Sequence, residues 1–224
     1  MTLPIKLNYP PMEAEPATDL PQGSQWHYDP KWEEGANIAL QSKSQKSLSR
    51  YFPELVKALA NLKAKSFVLD GEIVIPVERN LSFDDLLMRI HPAASRIQKL
   101  SESTPSKFIV FDLLVDDKGK RLVGLPLQER RKKLEVFFRS FANDKGLLEL
   151  SPVTNDVNKA RKWFHMGVGL DGIVAKRKDL PYQSGACGYA ENKNAAHRRL
   201  RCGRLSLPGK EASGGVITSR SLQR

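Results

Sequence analysis

Lys31 stands in the run Tyr28-Asp29-Pro30-Lys31-Trp32-Glu33, with one carboxylate two residues before it and another two residues after. A lysine is protonated and inert at neutral pH unless burial or cationic neighbours depress its pKa, so a nucleophilic lysine needs built surroundings. Most lysines in polar runs are solvated surface groups, and the hexapeptide alone favours that reading. Three further segments bring charge into apolar β-formers: Asp70-Gly71-Glu72, Phe111-Asp112, and Asp171-Gly172 followed by Lys176. A carboxylate inside a buried strand is costly unless it is paired, hydrogen-bonded or holding a metal. A salt bridge accounts for one such acid. Several of them, two beside glycines, fit strands that line a pocket. Strand alternation places Asp171, Ile173 and Ala175 on one face and Gly172, Val174 and Lys176 on the other. Asp171 and Lys176 reach one pocket only if the strand end bends or twists.

The elements that would position these residues follow from periodicity. Residues 37–42 read as a short strand. Residues 51–62 read as a helix, with Pro53 in its first turn and Phe52, Leu55, Val56, Leu59 and Leu62 at helical spacing. Residues 67–76 form a bent strand or strand pair. Ser82 caps a helix to residue 90, with Asp84 and Asp85 favouring its dipole. Residues 108–115 make a second apolar strand, and 116–120 a turn. Residues 127–141 form a basic amphipathic helix with Leu134, Phe137, Phe138 and Phe141 inward, its lysines and arginines read as a solvated face. A helix over 157–165 and a strand over 171–177 complete the set. Strands and helices without regular βαβ alternation indicate α+β with a largely antiparallel sheet.

The chain has 224 residues, 40% of them hydrophobic, enough for a substantial core. No apolar run reaches membrane-spanning length, and no signal segment opens the chain. Cys187 and Cys202 match neither a disulfide framework nor a zinc cluster, so a reducing cytoplasm is expected. The net charge of +11 favours a polyanionic partner such as nucleic acid. It is unevenly placed: residues 186–224 hold eight Lys and Arg against two Glu, a net +6, and the first 185 residues carry the other +5.

Taken together, Tyr-Asp-Pro-Lys-Trp-Glu, Leu-Asp-Gly-Glu-Ile-Val, Phe-Ile-Val-Phe-Asp-Leu-Leu and Leu-Asp-Gly-Ile-Val-Ala-Lys resemble the ATP-dependent DNA ligases, in order and approximate spacing. The bacterial forms are the most similar, and residues 47–55 and 90–95 share the likeness, which runs from about Pro11 to Gly185. The resemblance implies an α+β nucleotidyltransferase (ATP-grasp-like) domain of antiparallel sheets flanked by helices, with the oligonucleotide-binding barrel absent. It implies that Lys31 attacks the α-phosphorus of ATP and holds AMP as a phosphoramide. Asp29 would sit by the adenine and Phe111 would stack on it. Glu72 would face the ribose or a metal, Asp171 would help hold Mg²⁺ (or Mn²⁺), and Lys176 would lie near the phosphates. Nicked double-stranded DNA would be the substrate, in repair or recombination, with the protein a monomer in the bacterial cytoplasm at the nucleoid. Read without the family, Phe111 is ordinary core, and Glu72 and Asp171 are salt-bridge acids. An RNA ligase or capping nucleotidyltransferase, and a non-catalytic remnant that binds nucleic acid, are the alternatives.

Two departures from the family stand out. The family follows its lysine with Trp-Asp-Gly-Phe-Arg and a further strand, whereas Lys31-Trp32-Glu33-Glu34-Gly35 runs directly into the segment from Ala36. About one strand's length is missing, with an arginine expected to contact nucleotide. After Gly185 the likeness stops, and no family lysine pair follows. The expected organisation is an extended arm over 1–25, an incomplete adenylation domain over 26–185, and a structureless tail over 186–224. Shifted by one base, synonymous codons from Tyr189 onward permit Met-Gln-Lys-Ile-Lys and later Val-Gly-Gly-Phe-Arg-Tyr, strings similar to the family's next motifs. We hypothesise a frameshift after Gly185, in which case Lys193, the tail arginines and both cysteines carry no function. Resequencing the locus checks this: codons unable to spell those strings in the shifted frame would refute it.

Overall fold

The computed structural model describes residues 13–17, 19–32, 47–64, 66–78, 80–142, 146–163, 170–184, 187–193 and 216–220. At 13–16, 30–32, 83, 171, 187–193 and 216–220 it describes the backbone alone. In chain order the elements are β1 (Glu13–Pro16), β2 (Trp26–Trp32), α1 (Pro53–Ala60), β3 (Phe67–Val74), β4 (Pro76–Val77), β5 (Asn80–Leu81), α2 (Phe83–Arg89) and α3 (Ala94–Ser103). They continue with β6 (Lys107–Val115), α4 (Leu127–Phe141), β7 (Leu148–Leu150), α5 (Val157–Trp163), β8 (Leu170–Arg177), β9 (Cys187–Lys193) and β10 (Val216–Arg220). No helix among the described residues is long and apolar enough to cross a membrane.

Two four-stranded sheets organise these elements. The first runs β1-β9-β8-β2 and the second β10-β3-β6-β7. Antiparallel pairing predominates, as expected, with one parallel pair in each sheet, β1 with β9 and β6 with β7. Apolar residues at helical spacing bring α1 and α4 onto the second sheet, where Phe52, Leu55 and Leu59 meet Phe67, Leu69, Phe108, Leu134 and Phe137 in one buried cluster. The Phe137 ring meets Phe67 edge-on, with centroids 5.5 Å apart. A smaller cluster joins Tyr28, Ile173 and Ala175 of the first sheet to Ala160 of α5. The first sheet thus has one apolar face, and its other face is left for polar residues.

Local chemistry explains most boundaries. Pro53 opens α1 because a first-turn residue needs no amide hydrogen, and a single 3₁₀ turn, Ser49–Tyr51, precedes it. Ser82 caps α2 as its sequence position implies, its hydroxyl accepting from the Asp85 amide at 3.1 Å. Neither α3 nor β7 was anticipated. The strand expected at 37–42 lies outside the described residues, as do residues 164 and 165 of the helix expected over 157–165.

Two expectations are corrected. The arginines of α4 are not all on a solvated face: Arg130 and Arg131 are buried. Arg130 grips Asp112 with two hydrogen bonds, at 2.9 and 2.8 Å, and also donates to the Leu125 carbonyl. Arg131 donates to the Ser151 carbonyl at 2.8 Å. The planar guanidinium can be satisfied at several acceptors at once, which permits its burial where a lysine ammonium would fit less well. The second correction concerns 186–224, where β9 and β10 are strands. Their backbones complete ladders along β8 and along β3, and ladder bonds depend little on side-chain identity.

Removing one partner of a buried ion pair leaves an uncompensated charge. Arg130→Met should therefore lower the free energy of unfolding in urea by about 3–5 kcal/mol. Lys132→Ala, which loses only an exposed pair with Glu129, should change it by less than about 1 kcal/mol.

Candidate functional site

The antiparallel ladder between β2 and β8 sets the polar face of the first sheet. Tyr28 lies opposite Ala175, and both belong to the apolar cluster, as does Ile173, the cross-strand partner of Pro30. The alternate positions are therefore the other face: His27 opposite Lys176, Asp29 opposite Val174, and Lys31 opposite Gly172. Lys31 thus has a residue without a side chain as its cross-strand neighbour. The ladder then shifts, because Trp32 pairs with Leu170 and Asp171 is skipped. Asp171 sits at a bulge of β8, the strand-end irregularity that strict alternation required for Asp171 and Lys176 to share a pocket. For Lys31 and Asp171 this backbone placement is what is described.

A second bulge falls at another residue singled out by the sequence. On β6, Asp112 pairs with Asp70 and Val110 with Gly71, so Phe111 is skipped. The buried cluster takes Phe108, Val110 and Leu113 from this strand, and the period of two breaks across Phe111 and Asp112. Phe111 is only half-buried. Gly71 is required here because a Cβ would lie 2.5 Å from the Ile109 carbonyl oxygen and 2.8 Å from the Phe108 ring.

The two sheets meet at Lys176. Its ammonium lies 2.6 Å from Asp29 Oδ2 and 4.0 Å from the centroid of the Phe111 ring. The side chains of Lys176 and Asp29 are 5% and 7% exposed, so both charges are withdrawn from water and each depends on the other. Three of the residues expected at the site, Asp29, Phe111 and Lys176, are therefore in one cluster. Burial pushes the His27 imidazole below its ordinary pKa, against the opposing pull of Asp29.

Beneath this cluster lies a network that the sequence did not assign. Asp70 and Asp112 are cross-strand partners, both buried. Asp112 is held by Arg130, while Asp70 accepts from the Tyr182 hydroxyl at 2.7 Å. The Arg130 guanidinium also lies 5.6 Å from the Tyr182 ring centroid. Burial pushes the Asp70 carboxyl up to about 7, and the Asp112 charge adds to it, while the Tyr182 hydrogen bond and Lys176 oppose it. Asp70 Oδ1 has no hydrogen-bond partner among the described residues. The acids in apolar strands were a legible signal. Nothing in the sequence pointed to Arg130 or Tyr182 as their partners.

Glu72 is half-buried on β3, opposite Ile109. Among the described residues no three His, Cys, Asp or Glu side chains gather as a metal site. The Asp171 side chain lies outside that description. A cavity of about 440 Å³ opens among Pro76, Glu78, Thr104, Lys107 and Leu147, and none of the site residues lines it.

Comparison with known proteins gives the family. A family model for the ATP dependent DNA ligase domain matches residues 29–191. DNA ligase C2 of Mycolicibacterium smegmatis is 40% identical over 195 residues, covering 82% of this chain and 53% of that protein. DNA ligase C of Mycobacterium tuberculosis is 37% identical, with the same coverage of 82% and 53%. The chain spans about half the length of these relatives. Among solved structures, a mycobacterial DNA ligase D complexed with ATP and MES superimposes with a TM-score of 0.64 at 27% identity, over 84% of this chain and 60% of that one.

The raised Asp70 carboxyl makes stability depend on pH. Between about pH 4 and 7 the folded chain keeps a proton that an unfolded Asp70, with its ordinary value of 3.8, has released. Stability contributed at this group falls as pH rises through that window and is level above it. In urea titrations, wild-type stability minus that of Asp70→Asn should decline by up to about 1.4 kcal/mol per pH unit across the window. A difference that stays flat from pH 4 to 7 would mean the carboxyl is not raised.

Proposed function

The chain belongs to the ATP-dependent DNA ligase domain family, and on that premise we propose that residues 26–185 are an adenylation domain whose Lys31 takes AMP from ATP. The lysine amine, once deprotonated, attacks the α-phosphorus. A phosphorus–nitrogen bond forms as the bond to the pyrophosphate oxygen breaks. The AMP then passes to the 5′-phosphate of a nick in double-stranded DNA, and the 3′-hydroxyl displaces it to join the strand. The observation that carries this reading is the β2–β8 pair: Lys31 opposite Gly172, two residues from an Asp29 that meets Lys176 against Phe111.

In this reading the Phe111 ring is the stacking platform for the adenine, and Asp29 borders the base. Glu72 faces the ribose or a metal ion, and Lys176 serves the phosphates. Mg²⁺ typically takes one or two carboxylates and completes its shell with water and phosphate oxygens, so Glu72 with Asp171 is a suitable donor pair. When bound, the ion neutralises charge on the transferring and leaving phosphates. The residues of the chain hold and orient the nucleotide, and orientation supplies a large share of the rate in phosphoryl transfer. The parent protein would act as a monomer in DNA repair or recombination, at the nucleoid in the bacterial cytoplasm. The shortened segment after Lys31 removes an arginine from the nucleotide, and the chain should adenylylate itself slowly.

Incubation with α-labelled ATP and Mg²⁺ tests the proposal. A weak covalent AMP adduct should form and should be lost in Lys31→Ala, with an unchanged circular dichroism spectrum. No adduct at any protein concentration would favour a non-catalytic remnant. Labelling with GTP in place of ATP, or joining of nicked RNA in preference to nicked DNA, would favour the capping and RNA ligase alternatives.

A further inference from the structure

The Lys176 ammonium stands where a stacked base would have to lie. Atoms in stacking contact sit about 3.5–4.0 Å above a ring, and Lys176 Nζ is 4.0 Å from the Phe111 centroid. The same nitrogen is 2.6 Å from Asp29 Oδ2. A base that borders Asp29 and stacks on Phe111 therefore needs the space this ammonium fills. The occupant is well held: the carboxylate and the ring quadrupole both attract it, and neither Lys176 nor Asp29 is more than 7% exposed.

We propose that Lys176 is a specificity-determining plug, which fills the base platform and yields it only to a ligand that brings its own anion. The proposal rests on the assignment of Phe111 as the base platform. Displacement removes the ammonium from Asp29 and from the ring, and a charge so placed must find a new counter-ion. A nucleoside triphosphate carries one within reach of the long lysine stem. A nucleoside carries none. Lys176 thus makes the site reject adenosine and accept ATP before any covalent step, and couples occupation of the base pocket to engagement of the phosphates.

Calorimetric titration of ATP and of adenosine, both without divalent cation, tests this on the full chain. Wild type should bind ATP much more tightly than adenosine. In Lys176→Met, adenosine should bind roughly tenfold more tightly than to wild type, on the scale of one lost cation–π contact and its ion pair. The preference for ATP over adenosine should shrink by at least that factor. Lys176→Gln, which keeps a donor for Asp29, should show the same direction and serves if the methionine variant does not fold. Should neither fold, isotope-labelled lysine gives a reading on the wild type. The Lys176 ε-protons should be shifted upfield by the ring in the free protein and return to ordinary positions when ATP saturates the site. Adenosine affinity unchanged or weakened by Lys176→Met, or ring-shifted ε-protons that persist at saturating ATP, would overturn the plug. Phe111→Leu separates the two levels. If that variant weakens both ligands while Lys176→Met fails to tighten adenosine, the plug alone is wrong. If Phe111→Leu weakens neither ligand, the base platform is wrong, and the plug falls with it.

Discussion

Two carboxylates facing each other across adjacent strands, away from water, cannot both stay ionised without separate compensation. Asp70 and Asp112 are placed this way in the second sheet, and much of the fold can be understood as the means of holding them. Asp112 draws the guanidinium of Arg130 into the interior, which fixes the first turn of α4 against β6. Asp70 receives the hydroxyl of Tyr182, which pins the chain just beyond β8 onto β3. Because β8 belongs to one sheet and β3 to the other, this hydrogen bond ties the sheets together. The residual strain appears as an Asp70 carboxyl raised toward neutrality rather than as a second full ion pair.

That tie fixes how the strands present their side chains. β6 bulges at Phe111 beside the Asp70–Asp112 pair, and β8 bulges at Asp171 beside Lys31. A bulge breaks the alternation of a strand and re-aims one residue while the rest of the ladder stays bonded. Both bulges fall on residues with a proposed role toward nucleotide. Gly71 and Gly172 serve the same end from the other side of each ladder, the first allowing a close backbone approach and the second leaving the position opposite Lys31 without a side chain. Lys176 then spans from one sheet to the other, bonded to Asp29 and set over Phe111. The site is thus a consequence of where two small sheets are joined.

The relation of the strands to their neighbours also explains how the family fold accommodates this chain. In the described structure β10 lies along β3 from Phe67 to Gly71, and β9 lies between β1 and β8. Backbone pairing asks for extended chain and little else. Segments that carry none of the four motifs can therefore occupy places in both sheets.

The sequence by itself singled out the residues proposed to carry the chemistry and several of the elements around them. Lys31, Glu72, Phe111 and Lys176 were recognisable from ordered short motifs. The span of α4, the Ser82 cap and the strands around Asp70, Asp112 and Asp171 followed from periodicity and local hydrogen bonding, which act over a few residues and leave a pattern in the chain. Tertiary structure alone decided that Arg130 is buried on Asp112, that Tyr182 reaches Asp70 from 112 residues away, and that Lys176 rests on Phe111 rather than in solvent. Those contacts depend on which strands become neighbours and on bulges that reset alternation by one residue. Neither leaves a periodic trace, because long-range partners are chosen by packing and charge compensation, not by spacing along the chain.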